Sequence, residues 1–362
     1  MKRISLFLLL FLLLKATVMY SQDGHPETNF RIVPVSPNAA SLGTFGMIPT
    51  DNYVGQANLT IPIYEIDLDG KKFPIALSYH TDGTRVAQEA TWIGLGWTLQ
   101  AGGCVVRQVQ GTDDFAARGC YNLTDAPWLT NPRFEVTDQN LEKYMGYFKG
   151  DYDAEPDMFY FNAGGHSGSM YFDVLKNNRQ LNAVPTIQTQ EKVVKMVYNT
   201  SNKTWTMTDL EGYVYSFSTK EITYYFLNTI DFFQTDITRS HIFPYYNEPQ
   251  IVTAWMLDSV TSPNGGKIMF SYKKESIFTP ISTTEDVISL SKIVNGQLSS
   301  QSPQYFTNKF NYNYSYSKIE QWTLSAITFE GGKVEFGTTD REDIESAETG
   351  KKVQKLSSIK VK

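Results

Sequence analysis

Gly165-His166-Ser167-Gly168-Ser169 sets a serine beside a histidine and between glycines, the residue types of a hydroxyl nucleophile and its base. A nucleophile elbow, G-x-S-x-G, would expose such a serine on a strand-to-helix turn. Here Ser169 stands where the last glycine belongs, and strand-like sequence flanks the motif on both sides (159–161 and 170–173). No acid is placed by spacing to orient the histidine, so the motif reads as a glycine-rich hairpin turn. We therefore expect no catalytic residue, and a chain that is not an enzyme.

A second constellation is acidic. Asp151, Asp153, Glu155 and Asp157 alternate, which on an extended segment puts four carboxylates on one side. Hard oxygen ligands of this kind suit Ca²⁺, which takes six to eight of them. The EF-hand pattern fails: Pro156 occupies the glycine position and Asn162 the position of the terminal Glu. The alternative is a solvated acidic loop in which Glu155-Pro156-Asp157 makes a turn. Calcium is the one cofactor the sequence raises, and it raises no other metal. The four histidines (His25, His80, His166, His241) are scattered, and neither cysteine has a CxxC partner.

Cys104 and Cys120 are the only cysteines. In an oxidising compartment they are a candidate disulfide closing a loop of about 16 residues; two isolated thiols are the other reading. Arg341 and Asp343 suggest an ion pair or a turn. Trp92, Trp97 and Tyr79 offer aromatic faces on which a sugar would stack, but an apolar run broken by Gly94 and Gly96 reads first as a packed core crossing.

These residues need elements to hold them, and the elements are strands. Leu59, Ile61 and Ile63 alternate, Asp69-Gly70 supplies a turn, and Phe73, Ile75, Leu77 and Tyr79 alternate on the return. Pro62 and Pro74 within these strands call for edge positions or bulges. Further strands are expected at 193–198, 204–208 and 213–218, and one helix over 136–148, with Asp138 as its cap. Trp255 to Phe270 can be laid over Trp322 to Phe336, each unit a strand, a Gly-Gly-Lys turn and a returning strand. The alternating residues 356–362 read as a last strand. Fourteen per cent aromatic residues, with 22 Tyr and 22 Phe, favour pleated sheet. The fold expected is all-β: antiparallel hairpins in a sandwich-like or shell-like sheet with little helix.

The chain opens with Lys2 and Arg3 before the apolar run Ile4 to Leu14, then small or polar residues to Ser21. This reads as a signal peptide over 1–21, too short to span a bilayer. An extended leader follows over 22–37, then a β-rich module over 38–362 with a sub-boundary near 125–150. Removing the three cations Lys2, Arg3 and Lys15 takes the net charge from −6 to −9, which argues against a nucleic-acid or anionic-membrane partner, since either would need a basic face. No second long apolar run exists, so we expect no membrane insertion after cleavage, transit through a periplasm, and a secreted or cell-surface product.

The blocks Pro37-Asn38-Ala39-Ala40-Ser41-Leu42, Ile61-Pro62-Ile63-Tyr64, Pro74-Ile75-Ala76-Leu77-Ser78-Tyr79-His80 and Gly94-Leu95-Gly96-Trp97 resemble the N-terminal region of RHS/YD-repeat secreted proteins of the Bacteroidota type. Ala101-Gly102-Gly103, Glu155-Pro156-Asp157, Thr253-Ala254-Trp255, Ser262-Pro263-Asn264-Gly265-Gly266 and Arg341-Glu342-Asp343 continue the resemblance to the chain's end. It implies a structural module that precedes and plugs or initiates a β-shell of YD repeats, the kind of shell that encloses a toxin or effector. The 362 residues hold neither a shell-length array nor an effector, and they end inside a strand. The chain is thus expected to be a piece of a longer product or a stand-alone derivative. Its expected partner is the downstream shell, or a protein or glycan surface. The other function we carry forward is a stand-alone secreted glycan- or calcium-binding module.

Overall fold

The structure is a computed structural model. It describes residues 33–42, 58–80, 88–122, 153–173, 184–188, 194–231, 250–288, 293–298 and 309–362, less residues 41, 112, 117, 118, 154, 281, 295 and 296. The expected signal peptide, the leader before residue 33 and most of the proposed sub-boundary lie outside these residues. So does the expected helix over 136–148, apart from Leu141 and Met145, which are helical.

Three strands make a small sheet: β1 (Asn58–Leu68), β2 (Lys71–His80) and β3 (Trp97–Gln100), in that order. Asp69-Gly70 makes the β1–β2 turn as its sequence demands. Both prolines sit where a missing N–H is harmless. Pro62 borders the register shift in edge strand β1. Pro74 precedes Ala76, where the pairing of β2 with β3 begins.

A second sheet of 13 strands runs from β4 (Gly103–Gln108), β5 (Met158–Ala163), β6 (His166–Tyr171) and β7 (Thr186–Ile187) at one end to β8 (Val194–Asn199) and β9 (Thr204–Asp209) at the other. Between them lie β10 (Val214–Asp231), β11 (Gln250–Thr261), β12 (Lys267–Phe278) and β16 (Lys309–Phe329). These four close a ring of pairings, β11 to β12 to β16 to β10 and back to β11, so the sheet curls on itself. The hairpin β17 (Gly332–Asp340) and β18 (Gln354–Val361) extends it through β16, and β13 (Ser282–Ile288) also pairs with β16. A two-stranded ribbon, β14 (Ile293–Val294) and β15 (Gln297–Leu298), stands apart from both sheets. Every described pairing between strands is antiparallel. The architecture is all-β, as expected.

β10 and β16 run well beyond the segments the sequence picked out. Residues 219–231 and 309–321 are rich in aromatic and β-branched side chains that suit a pleated surface.

The main core draws on both sheets, Ile66, Ile75 and Leu99 from the small one and Trp205, Trp255 and Phe336 from the large one, and period-2 alternation delivers one apolar side chain in two. Trp205 and Trp255 meet edge to face at 6.1 Å, and Phe172 stacks on Trp205 at 5.6 Å. Trp92 lies in this core against Phe336 at 6.3 Å, but Leu95 is exposed and Trp97 only half-buried, so the expected core crossing holds at Trp92 and not along the whole run. The outer face of β4 and β11 carries a second cluster of Ala39, Cys104, Val106, Ala254 and Met256. A short helical stretch, residues 37–40 and Leu42, lies there. Ser36 opens it: the Ala39 N–H donates to Ser36 Oγ at 3.1 Å, and Pro37 takes the first helical position, where its missing donor costs nothing. The expected extended leader over 22–37 therefore ends one residue into this stretch.

Candidate functional site

The Gly165–Ser169 motif is a hairpin. Gly164 and Gly165 form the turn between β5 and β6, and Ser167 is exposed on β6 opposite Asn162. Gly164 is there because of its neighbour: a Cβ at that position would lie 2.3 Å from the Tyr215 hydroxyl.

Around that turn the fold gathers a polar group that the sequence did not single out. Lys71 at the start of β2 donates to Asp209 Oδ2 at 2.6 Å and pairs with Glu211 at 3.0 Å. Asp209, at the end of β9, also accepts from the Tyr215 hydroxyl at 3.1 Å and from the Tyr213 N–H at 2.9 Å. His166 Nε2 is 3.8 Å from Asp209 Oδ2. Burial pushes the Asp209 carboxyl up, but Lys71 and the backbone donor hold it below its ordinary value. Burial pulls the Lys71 ammonium down, and its two carboxylates hold it well above the usual lysine range. A lysine so firmly protonated and a carboxylate so firmly ionised cannot exchange protons near neutrality. The group works as a latch. With Tyr213, whose hydroxyl donates to the Leu68 carbonyl at 3.0 Å, it ties the β1–β2 turn to the large sheet.

The acidic segment divides. Asp151 lies outside the described residues. Asp153 Oδ1 accepts the Glu155 N–H at 2.9 Å, but Asp153 is buried, so this stretch is not the solvated acidic loop expected. Asp157 is fully buried and turns the other way, onto Arg107 of β4. No group of three or more metal-ligating side chains forms among the described residues.

Arg107 is the centre of a buried charge cluster. Its Nε donates to Asp157 Oδ2 at 2.8 Å, its Nη2 reaches both Asp157 and Asp113, and its guanidinium lies 4.7 Å from the Phe115 ring centre. Asp157 Oδ1 accepts the Gln110 N–H at 2.7 Å. Asp114 faces this group as a third carboxylate. Burial and then the Asp157 charge push it up to about 8. The buried Tyr121 hydroxyl faces this carboxyl and, with Arg107, works against that rise.

The candidate disulfide does not form: Cys104 and Cys120 are free, buried thiols. Alternation along β4 is the reason. Cys104 points to the outer cluster, whereas Val105, one residue on, joins Cys120 in the main core. Burial raises both thiols, Cys120 to about 12.

Arg341 and Asp343 do pair, through two parallel bonds of 2.8 and 2.6 Å. Arg341 is buried and also donates to the Ala90 carbonyl at 3.1 Å, tying the approach to Trp92 to the end of β17. On the outer face, buried Glu221 accepts the Ser36 N–H at 2.8 Å and the Thr253 hydroxyl at 3.0 Å. Nearby, Asn38 Oδ1 accepts the Trp92 N–H at 2.8 Å. Both read as ordinary polar residues in sequence, and no local signal marks them.

A further concavity lies between the two sheets. It is a cavity of about 250 Å³ walled by Ile66, Ile75 and Leu99 on one side and by Leu257, Ile268 and Ile327 on the other. Tyr79 and Trp97 pack together at 5.1 Å on the small sheet, while Trp92 is buried elsewhere, so the three aromatics form no common platform.

No family model and no curated protein matches the chain. Among solved structures, the crystal structure of TcdB2-TccC3-Cdc42 aligns with it at a TM-score of 0.30 and 12% identity, over 85% of this chain and 13% of that one. The chain thus spans about an eighth of that chain's length.

Proposed function

We propose that this chain is an exported, non-enzymatic structural module that plugs or begins a β-shell of YD repeats, in toxin or effector delivery or in surface interaction. The observation that carries this reading is lateral growth by a repeated hairpin. β11 with β12 and β16 with β17 are successive copies of one unit, joined edge to edge through the β12–β16 pairing. Their turn glycines Gly265 and Gly331 share a positive φ, 93° and 84°, and Val260, Ile268, Ile327 and Val334 fill corresponding core positions. A unit that adds to its own kind in this way is what a shell needs in order to extend. The sequence resemblance to RHS/YD-repeat N-terminal regions supports the same reading. The buried ion pairs fit it too, because their charges are locked into holding segments together.

The test is the size of the native product, by immunoblot against residues 340–350. We expect a band several-fold larger than the 41.1 kDa of this chain. A band at or below that mass, together with a monodisperse monomer of residues 22–362, would overturn the reading.

A further inference from the structure

We propose that the cavity between the small and large sheets is a binding site for a small, uncharged, largely hydrocarbon molecule. Three observations point there. The first is size: protein interiors pack as densely as organic crystals, and a cavity of about 250 Å³ is large by that standard. An apolar cavity of about 150 Å³ already takes benzene, so this one has room for a two-ring aromatic or an alkyl chain of about eight carbons.

The second is the chemistry of the wall. Strands from both sheets supply aliphatic side chains, with Phe73 and Phe270 adding ring surface. No Asp, Glu, Lys, Arg or His lines the cavity among the described residues, so nothing there repays the desolvation of an ionic ligand.

The third is polarity at selected points. Among the described residues the polar side chains of the lining are Gln100 and Asn162; Asn162 already donates to the Leu42 carbonyl at 3.0 Å, which leaves its oxygen and the Gln100 carboxamide to meet one hydroxyl or carbonyl on an otherwise apolar molecule. The exposed residues Pro74 and Gly165 lie at the rim and give a way in. An occupant would touch both sheets at once and so stabilise the docking of β1–β3 on the larger sheet.

The experiment titrates the purified protein with 1-naphthol, followed by naphthol fluorescence and by calorimetry. We expect saturable 1:1 binding with a dissociation constant below about 100 µM and a rise in Tm. Ala101→Phe and Ile327→Phe fill the cavity from opposite walls. Each folded variant is expected to bind at least 10-fold more weakly, and 1-naphthoate, the same ring system with a charge, at least 10-fold more weakly to wild type. Two filling variants guard against one failing to fold. Absence of saturable naphthol binding by the wild-type protein overturns the proposal. So does unchanged affinity in a folded filling variant, or equal affinity for 1-naphthoate.

Discussion

Asp114 and Asp157 hold each other by reciprocal backbone bonds. The Asp157 N–H donates to Asp114 Oδ2 at 2.6 Å, and the Asp114 N–H to Asp157 Oδ2 at 3.4 Å. Arg107 is bound to Asp157 and Asp113, so Asp114 is the carboxyl left without a direct cation. Burial first, and then the Asp157 charge, raise it to about 8. A free aspartate titrates near 3.9, so the folded state holds a proton that the unfolded chain has released. The stability this proton contributes is complete below about pH 4 and is lost as pH rises toward 8. Urea unfolding at pH 5.5 and pH 8 should therefore show a loss on the order of 1 kcal/mol or more at the higher pH. In Asp114→Asn, which keeps an acceptor for the Asp157 N–H, that loss should largely vanish. An unchanged slope in the variant would assign the titration to another group.

Arg107 itself should be among the costliest single changes in the chain. Arg107→Met leaves Asp157, fully buried, without its counter-charge, a loss of about 3–5 kcal/mol. Arg107→Lys keeps the charge but loses the fork that reaches two carboxylates, and should cost less. Denaturant midpoints decide the order, and equal midpoints for the two variants would show that charge is not what Arg107 supplies.

How much of this was open to reading depends on sequence distance. The β1–β2 hairpin could be read because Asp69-Gly70 and the alternating apolar residues lie within a few positions of one another. The Gly-Gly-Lys units could be read for the same reason. The Arg107–Asp157 pair joins residues 50 apart, and the Glu221 bond to the Ser36 N–H spans 185. A lone Glu in a strand looks solvent-facing until the chain returns to cover it. The cysteines show a related limit: loop length allowed a bridge, but the alternation of β4 sent Cys104 to the opposite face from Cys120. The cavity has no sequence signature at all, since its walls come from eight strands.

Those two thiols give a direct chemical test. Native protein at pH 8 should react with no equivalents of a thiol-specific disulfide reagent on the minute scale, and with two in 6 M guanidinium. Burial limits access to both, and a Cys120 pKa near 12 leaves little thiolate at pH 8. Mass under non-reducing conditions should match that of the fully reduced chain. A mass two units lower, shifting on reduction, would restore the bridge.

Trp255 and Trp322 occupy the same position in the two hairpin units, and each indole donates to a backbone carbonyl: Lys203 at 2.8 Å and Lys220 at 2.7 Å. Equivalent bonds in unequal surroundings should have unequal weight. Trp255 is buried among Phe159, Tyr198 and Trp205, whereas Trp322 is only half-buried. Trp322→Phe should cost about 1 kcal/mol, the net worth of the lost bond. Trp255→Phe loses the bond and leaves a void in a close-packed aromatic cluster, so it should cost about 2–3 kcal/mol. Chemical denaturation of both variants measures the difference. If the costs came out equal, the hydrogen bond would be the shared and sufficient reason for tryptophan in the repeat. The expected inequality instead makes the bond the common device of the repeat and the packing of Trp255 a consequence of its place in the aromatic cluster of the main core.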